Sequence, residues 1–538
     1  MERQTFTWGS SGNRIRKTER WVERLWVLGL LLAALLVFGI NLGSLPLSDW
    51  GEGTVALVAR EITKAPFESW RWFYPTLDGK PYLESPPLLY LLIAAAYKIA
   101  GVNEWTTRLP GAILSAFSVP ILYGIGREIF PARQSAIFSS LIYLTLFPVV
   151  CRGRLALSDG MALGFLMLMI WCVLRSRRDL RWALGVGFGF SLIALSKGFV
   201  LALSSGAIVF LFLSWDTPRL LTSFYWWLGL LLGSVPGVAW YAFGVLKYGQ
   251  GFITTGIFNQ PLQPIWLSVV ANLRHPWYYW VELLKFSIPW LVFFPYGLRL
   301  AWKNRIWGWA KLVLVWASVY GLAILVMLTK LSGYILPLYP ALALASGALL
   351  TEVWHLSSRK SYPPVWKIGL SFLALGTIIG SLYFGIFDPV NRQLSIIFAS
   401  VGLTIAMAAV LSARRDLQFI SILFWGMYIS LLLLMTSPYW IGEFQPTYPI
   451  KPLADLVRRG TPNDQVIYAS FPVARPSLNF YSDRQIIPAS ISQLKQLWEK
   501  EQSVYFLLDK ETYQPLSLPS KRLVDQLPGW VLIAKDTN

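Results

Sequence analysis

Long apolar runs separated by short polar stretches fill most of the chain beyond residue 24. A helix that crosses a bilayer needs about 20 mostly apolar residues, so each long run predicts a candidate span. The candidates are 25–42, 86–100, 108–126, 135–150, 160–174, 182–195, 199–215, 224–245, 284–302, 312–328, 335–353, 367–387, 394–411 and 419–437.

Basic residues decide which candidates cross, because Lys and Arg concentrate in cytoplasmic loops. The segment 1–24 is rich in Lys and Arg, which predicts a cytoplasmic N-terminus before an uncleaved first span. From Arg127 onward, basic clusters occur in every second loop, so only one of 86–100 and 108–126 can cross. The run 86–100 starts with two prolines and contains Lys98, which favours a juxtamembrane helix.

The predicted fold is a polytopic α-helical membrane protein with about thirteen transmembrane helices and its C-terminus outside. The helical domain covers 25–442, with outer loops 43–107 and 246–283. Short β-like runs around a polar, helix-compatible stretch predict a small extracytoplasmic α/β domain over 443–538. We therefore expect an integral protein of the inner (plasma) membrane.

Composition excludes several classes of protein. The chain is 55% hydrophobic and 14% charged, whereas a soluble domain is about a quarter charged. The net charge of +19 fits cations in cytoplasmic loops better than nucleic-acid binding. Two cysteines exclude a disulfide framework. Motifs of phosphate-loop ATPases, dinucleotide-binding dehydrogenases, zinc proteases and serine hydrolases are absent from the sequence.

Ionisable residues beside membrane spans indicate function, and the first outer loop is dense with them. The stretch 52–63 predicts an amphipathic helix with Glu52 at its N-terminal end, where a carboxylate also serves as a simple cap. Asp159 falls at the outer mouth of the next span, where cap and function are both open. The candidate catalytic acids are Asp49, Glu52 and Asp159.

Several basic residues fall on the same predicted side. Facing one outer cavity, they would suit a phosphate-bearing ligand. The candidate ligand-binding residues are Arg60, Lys80, Tyr82, Glu84, Arg154, Lys197, Lys330 and Tyr334. Of the two histidines, His275 falls in the second outer loop, and with Glu84 it could share one divalent metal ion. His355 falls in a cytoplasmic loop and is expected to be inert.

At these residues the chain resembles the membrane glycosyltransferases of the ArnT and protein O-mannosyltransferase superfamily, which have the GT-C fold. No single motif carries the resemblance, which depends on the order and spacing of several segments. These are the acidic first loop, Tyr82-Leu83-Glu84-Ser85-Pro86-Pro87, the segment 103–110, Arg154 with Asp159, Ser196-Lys197-Gly198, and Lys330 with Tyr334, Pro337 and Pro340.

The resemblance implies a polyprenyl-phosphate-linked sugar as donor and a lipid, glycan or protein acceptor on the outer membrane face. An acid of the first outer loop would act as the base on the acceptor hydroxyl, in an inverting transfer. The implied partners are these two substrates and membrane lipids, and no cofactor is implied beyond the single metal ion considered above.

Two departures from the family pattern affect catalysis. The family has adjacent Asp and Glu in the first loop, whereas this chain has Gly51 and Glu52. Asp49 would then act as a surrogate base, or Glu52 would serve, or activity is altered or lost. The family also tends to have Lys where this chain has Ser85, so Lys80 or Lys197 would carry more of the phosphate charge. The alternatives are a catalytically inactive homologue and a secondary transporter.

Overall fold

The computed structural model describes residues 12–536 apart from 67–68, 263–274, 276, 356–361, 442–448 and 464. The part that precedes residue 442 is almost entirely helical. Its helices are α1 (Gly12–Gly39), α2 (Thr54–Lys64), α3 (Leu88–Ala100), α4 (Glu104–Ile129), α5 (Arg133–Leu144), α6 (Phe147–Arg154), α7 (Ser158–Ser176), α8 (Trp182–Lys197), α9 (Phe199–Asp216), α10 (Phe224–Tyr248), α11 (Gln250–Phe252), α12 (Tyr278–Phe286), α13 (Phe294–Lys303), α14 (Gly308–Val326), α15 (Tyr339–His355), α16 (Pro364–Ile386), α17 (Arg392–Ala413) and α18 (Gln418–Thr436).

Every apolar run of the sequence falls on one of these helices or on a bent pair of them. In the described ranges, ten helices are long and apolar enough to cross a membrane. Two bent pairs, one of them α5 with α6 at 60°, raise the number to twelve. The remaining two apolar runs form the shorter helices α3 and α8. The chain is an integral membrane protein, and the predicted count of thirteen spans, which requires α8 to cross, stays a prediction.

Basic residues from separate predicted cytoplasmic loops meet at one end of the helical bundle. Glu23 of α1 lies 2.9 Å from both Arg127 and Arg133. Two further carboxylates form ion pairs at this end of the bundle. Glu128 pairs with Arg175 and Arg178. Asp216 pairs with Arg177 and Lys311. The loops at 127–133, 175–178 and 303–311, which the parity argument placed on one side, therefore share one side of the bundle. Their orientation in the cell stays a prediction.

The first outer loop is a folded structure that covers the opposite end of the bundle. A wide helical turn over Asp49–Gly53 leads into α2, whose buried face includes Val55, Val58, Ala59 and Ile62, as the amphipathic pattern predicted. A small hairpin of β1 (Thr76–Leu77) and β2 (Lys80–Pro81) follows before α3.

The described residues beyond 448 form a small α/β domain, as expected. Its helices are α19 (Ile450–Gly460), α20 (Pro476–Ser482), α21 (Ile491–Lys500) and α22 (Lys510–Tyr513), and its strands are β3 (Ile467–Ala469), β4 (Ile486–Pro488), β5 (Tyr505–Asp509), β6 (Lys521–Leu527) and β7 (Trp530–Lys535). The sheet order is β4-β3-β5-β7-β6. Strand β3 is parallel to β4 and β5, whereas β7 is antiparallel to β5 and β6. Separate hydrophobic clusters cover the sheet.

Candidate active site

A cavity of about 430 Å³ lies where the first outer loop, the ends of α7 and α8, and the C-terminal domain meet. Its charged lining residues in the described chain are Asp78, Glu84 and Lys197. The other lining residues are Gly51, Thr54, Val55, Leu57, Leu77, Tyr82, Ser85, Pro86, Leu89, Tyr90, Leu157, Ser158, Ser196, Ala474, Pro476 and Asn479. Three parts of the chain, far apart in sequence, thus build one chamber.

Lys197 supplies the positive charge of the cavity wall. It is the last residue of α8, and Gly198, with φ of 102°, ends that helix. The ammonium group forms an ion pair with Asp159 in the first turn of α7. The positive charge of Lys197 therefore has an anionic partner within the fold. The carboxylate of Asp159 is mostly buried and does not line the cavity itself.

The loop before α15 approaches this ion pair closely. A Cβ atom on Gly333 would lie 2.7 Å from the Asp159 carboxylate, so a larger residue would displace it. Ser332 accepts a hydrogen bond from Arg152, and Tyr334 follows in the same turn. Lys330 instead donates to the Met327 carbonyl at 2.9 Å and lies over the ring of Tyr279. Burial lowers the pKa of Lys330. Neither Lys330 nor Tyr334 lines the cavity.

Glu52 does not reach the cavity. It is fully buried and accepts hydrogen bonds from Arg108 Nε at 2.8 Å and Nη2 at 2.7 Å. The backbone N–H groups of Ser48 and Ala156 donate to it at 3.0 and 2.8 Å. Burial alone would raise the pKa of Glu52, but the Arg108 guanidinium and these donors hold it below its usual value. Its contacts are those of a residue that positions the loop.

Asp49 faces the C-terminal domain rather than the cavity. Its carboxylate accepts hydrogen bonds from Arg475 Nη1 at 2.8 Å and from the Ser477 hydroxyl at 2.7 Å. Gly51, by contrast, lies on the cavity wall, where a Cβ would lie 3.1 Å from a Leu157 methyl. The position at which the family pattern has Asp therefore faces the chamber, and here it carries no side chain.

Besides Lys330, three more of the predicted ligand-binding cations lie away from the cavity lining. Arg60 contacts Asp483 at 3.1 Å and the Phe480 carbonyl at 2.9 Å, both in the C-terminal domain. Buried Arg154 donates to the carbonyls of Val37 and Ile40, both at 2.6 Å. Lys80 is exposed on the hairpin. Their positions correct the expectation that all the outer cations face one cavity.

Tyr82 and Glu84 line the cavity, and their predicted roles in ligand binding stay predictions. Tyr82 packs edge-on against Tyr90 with ring centroids 5.8 Å apart. Burial, and then the nearby Glu84 carboxylate, raises the pKa of Tyr82. The phenol therefore stays protonated and can donate a hydrogen bond into the chamber.

The proposed metal pair lacks a surrounding ligand cluster. The ring of His275 is exposed and stacks on Trp277 with centroids 4.6 Å apart. Within the described ranges, His, Cys, Asp and Glu form no group of three or more that could hold a metal ion. A shared ion between Glu84 and His275 stays a prediction, and no step of the chemistry below depends on it.

Sequence reasoning missed some residues of the cavity lining. Asp78, Ser158 and Asn479 line the cavity but were not singled out. An Asp-Gly pair is a turn signal, and Asp78-Gly79 could have been recognised as a hairpin tip on the loop. Arg108, buried near the start of α4, carried the signal of an ionisable residue in a membrane span. Asn479 carried no signal, because its place depends on the docking of a distant domain.

Comparison with known proteins identifies the class. A family profile described as dolichyl-phosphate-mannose-protein mannosyltransferase matches residues 84–241. One relative is undecaprenyl phosphate-alpha-4-amino-4-deoxy-L-arabinose arabinosyl transferase 1 of Pseudomonas fluorescens. It is 25% identical over 384 residues, which are 69% of this chain and 67% of that protein. An uncharacterised protein of Aquifex aeolicus is 26% identical over 66% of this chain and 69% of its own length.

The solved structures agree on the fold. ArnT from Cupriavidus metallidurans, bound to undecaprenyl phosphate, superposes with a TM-score of 0.78 at 19% identity, over 95% of this chain and 98% of that one. The Archaeoglobus fulgidus oligosaccharyltransferase gives a TM-score of 0.52 at 15% identity, over 91% of this chain and 70% of that one. The chain is thus a membrane glycosyltransferase with the GT-C fold. Within that class it is ArnT-like, and these matches set aside the transporter alternative.

Proposed function

We propose that this chain transfers a sugar from a polyprenyl-phosphate donor to a lipid, glycan or protein acceptor in the cavity described above. The observation that carries the proposal is a chamber at one end of an ArnT-like bundle that brings Lys197 together with Asp78 and Glu84. A cation suits a phosphate, and carboxylates suit the positive charge that develops on a sugar ring as its bond to phosphate breaks.

Lys197 is the residue we assign to the donor phosphate. Its ammonium group lies on the cavity wall and is held in place by Asp159. Ser158 and Ser196 line the same cavity beside Lys197. A point charge with neighbouring hydroxyls can follow the phosphate as it becomes the leaving group.

An apolar groove beside Lys197 supports a lipid-linked donor. The groove measures about 420 Å³ and lies among α8, α9 and α10. It is lined by Phe190, Ala194, Phe199, Leu203, Gly237, Val238, Tyr241, Ala242 and Val245. Ala194 and Phe199 of the groove flank Lys197 of the cavity in sequence. The groove therefore lies next to the part of the cavity wall that carries Lys197. A polyprenyl chain in the groove would bring its phosphate to Lys197.

The proposed reaction is an inverting displacement. An acceptor oxygen attacks the anomeric carbon, the bond from that carbon to the phosphate oxygen breaks, and its electron pair leaves with polyprenyl phosphate. A carboxylate of the chamber takes the acceptor proton. We predicted Asp49 or Glu52 of the first loop for this task and Asp159 as a further catalytic acid, but the contacts of all three support positioning roles instead.

Gly51 is the observation that favours an inactive homologue as the second candidate, because the expected carboxylate is missing from the cavity wall. The two candidates differ in one measurable property. An active enzyme cleaves the donor, whereas an inactive homologue only binds it.

The test uses the full-length protein in lipid nanodiscs. Mass spectrometry of lipids and glycans lost in a deletion strain identifies the sugar to label. Undecaprenyl phosphate carrying that labelled sugar is then incubated with the protein and with membranes of the deletion strain as the acceptor source. We expect label in the acceptor fraction and release of undecaprenyl phosphate. Donor binding without either would establish the inactive homologue.

A further inference from the structure

Two carboxylates line the cavity, and one of them, Asp78, lies at the tip of the first-loop hairpin. Asp78 and Gly79 have φ of 51° and 74°, the paired positive values of a tight two-residue turn. We propose that Asp78 is the general base that removes the proton from the acceptor hydroxyl. This assignment rests on the proposed glycosyl transfer.

The hairpin that carries Asp78 is held firmly against α2. One oxygen of Glu61 accepts the backbone N–H of Asp78 at 2.7 Å, and the other accepts the Thr76 hydroxyl at 2.5 Å. The short ladder pairs Leu77 with Lys80 across the turn. The turn is therefore fixed by its own strands and by a neighbouring helix, which gives the precise placement that a base requires.

The charges around Asp78 suit a proton acceptor. Burial, and then the Glu61 carboxylate on α2, raises the pKa of Asp78, while Lys80 on β2 opposes that shift. Glu84 and Lys197 line the same cavity. A base works best when its pKa approaches the working pH, so a raised value favours proton removal.

The other acids are committed elsewhere. Asp49 binds Arg475 and Ser477, Glu52 accepts four hydrogen bonds, and Asp159 pairs with Lys197. Each lies outside the cavity lining. The carboxylate missing at Gly51 is thus replaced within the same chamber by one presented from the hairpin.

The transfer forms one bond, breaks another and moves one proton. The Asp78 carboxylate takes the hydroxyl proton while the acceptor oxygen forms its bond to the anomeric carbon. The bond from that carbon to the phosphate oxygen breaks, and the electron pair leaves with polyprenyl phosphate. Asp78 then releases the proton to water and returns to its ionised form.

The test compares Asp78→Asn with Asp483→Asn in the labelled-donor assay. Asn tolerates the left-handed backbone well, so the turn at residue 78 is preserved while the carboxylate is lost. Asp483 is a matched control, because it also has a positive φ of 54° and lies on the C-terminal domain outside the cavity lining. We expect Asp78→Asn to lose about 10²-fold or more in kcat with unchanged donor KM, and Asp483→Asn to keep its rate.

A pH profile separates chemistry from structure. The wild-type rate should fall as acid protonates Asp78, and Asp78→Asn should lose that acidic limb while Asp78→Glu keeps it. A wild-type-like rate in Asp78→Asn would overturn the assignment alone, as would an acidic limb abolished only by Glu84→Gln. A wild-type protein that cleaves no donor would instead overturn the proposed function as well.

Discussion

Glu52 and Arg108 bind each other through two parallel hydrogen bonds, with both side chains completely excluded from solvent. The remaining guanidinium N–H groups donate to the carbonyls of Leu42, Leu45 and Pro46. One ion pair thus fixes the start of the first outer loop against α4. Glu52, which the sequence suggested as a catalytic base, instead holds the first outer loop in place through Arg108.

Replacing Glu52 with Gln should destabilise the protein strongly, because it leaves a buried Arg108 without its counter-charge. We expect a loss of about 3–5 kcal/mol in the free energy of unfolding. Denaturant unfolding in detergent, followed by intrinsic fluorescence, measures it. The control Glu499→Gln, on an exposed face of α21, should change stability by less than about 0.5 kcal/mol. Equal effects of the two substitutions would contradict a structural role for Glu52.

The same ion pair predicts how stability depends on pH. Because folding lowers the pKa of Glu52, its stabilising contribution is fully present above the unfolded value of 4.5 and is lost as pH falls through the lower folded value. Unfolding curves at a series of acidic pH values should therefore show a steeper loss for wild type than for Glu52→Gln. Parallel curves would show that other carboxylates control acid unfolding.

Gly53→Ala should loosen the C-terminal domain from the first loop. The added Cβ would lie 2.5 Å from the backbone nitrogen of Ser477 and 2.9 Å from its Cα, and backbone cannot move as freely as a side chain. Because the backbone of Gly53 is already helical, alanine adds no backbone strain there. The close contact with Ser477 is therefore the sole cause of the expected effect. Limited proteolysis should cleave α19–α22 faster in this variant. Gly376→Ala, in a helix with open space around it, should be as resistant as wild type.

Lys197→Met should reduce sugar transfer by about 10²-fold, because it removes a charge placed against the leaving phosphate. Lys500→Met removes the same charge from an exposed position of α21 outside the cavity lining and should change the rate by less than about threefold. Donor turnover is measured with both purified variants and compared with the rate of the wild-type protein. The double variant Lys197→Met with Asp159→Asn removes the stranded carboxylate, and it should remain inactive although it is properly folded.

Gly51→Asp should restore transfer to an Asp78→Asn protein. Gly51 faces the same chamber, and only a flexible Leu157 methyl at 3.1 Å must yield to the new side chain. We expect recovery of at least about tenfold in the labelled-donor assay, since a general base contributes about 10²–10⁴-fold. A Gly51→Asn partner, which has a similar size and no charge, should restore nothing.

Local patterns predicted much of this fold. Apolar runs located the helices, the amphipathic spacing gave the buried face of α2, and the tail composition gave the α/β domain. The β-like runs predicted at 466–469, 505–508 and 530–534 match β3, β5 and β7, whereas β4 and the mostly exposed β6 were not predicted. Neither shows the alternating burial that sequence reasoning recognises.

The site was harder to predict, because its composition depends on which side chains are already engaged. Lys197, Tyr82 and Glu84 reach the chamber as expected. Arg60 and Arg154 looked equally suitable in sequence, yet one binds the C-terminal domain and the other binds helix carbonyls. No local pattern records such partners, which lie more than a hundred residues away.

The contact of Gly53 with Ser477 has a consequence for how the protein is made. Residues near the beginning of the chain meet their partners only after more than four hundred further residues have been synthesised. Until then the first loop lacks one side of its enclosure. The part of the cavity wall that Ala474, Pro476 and Asn479 supply is therefore added only after these residues have been synthesised and their domain has folded.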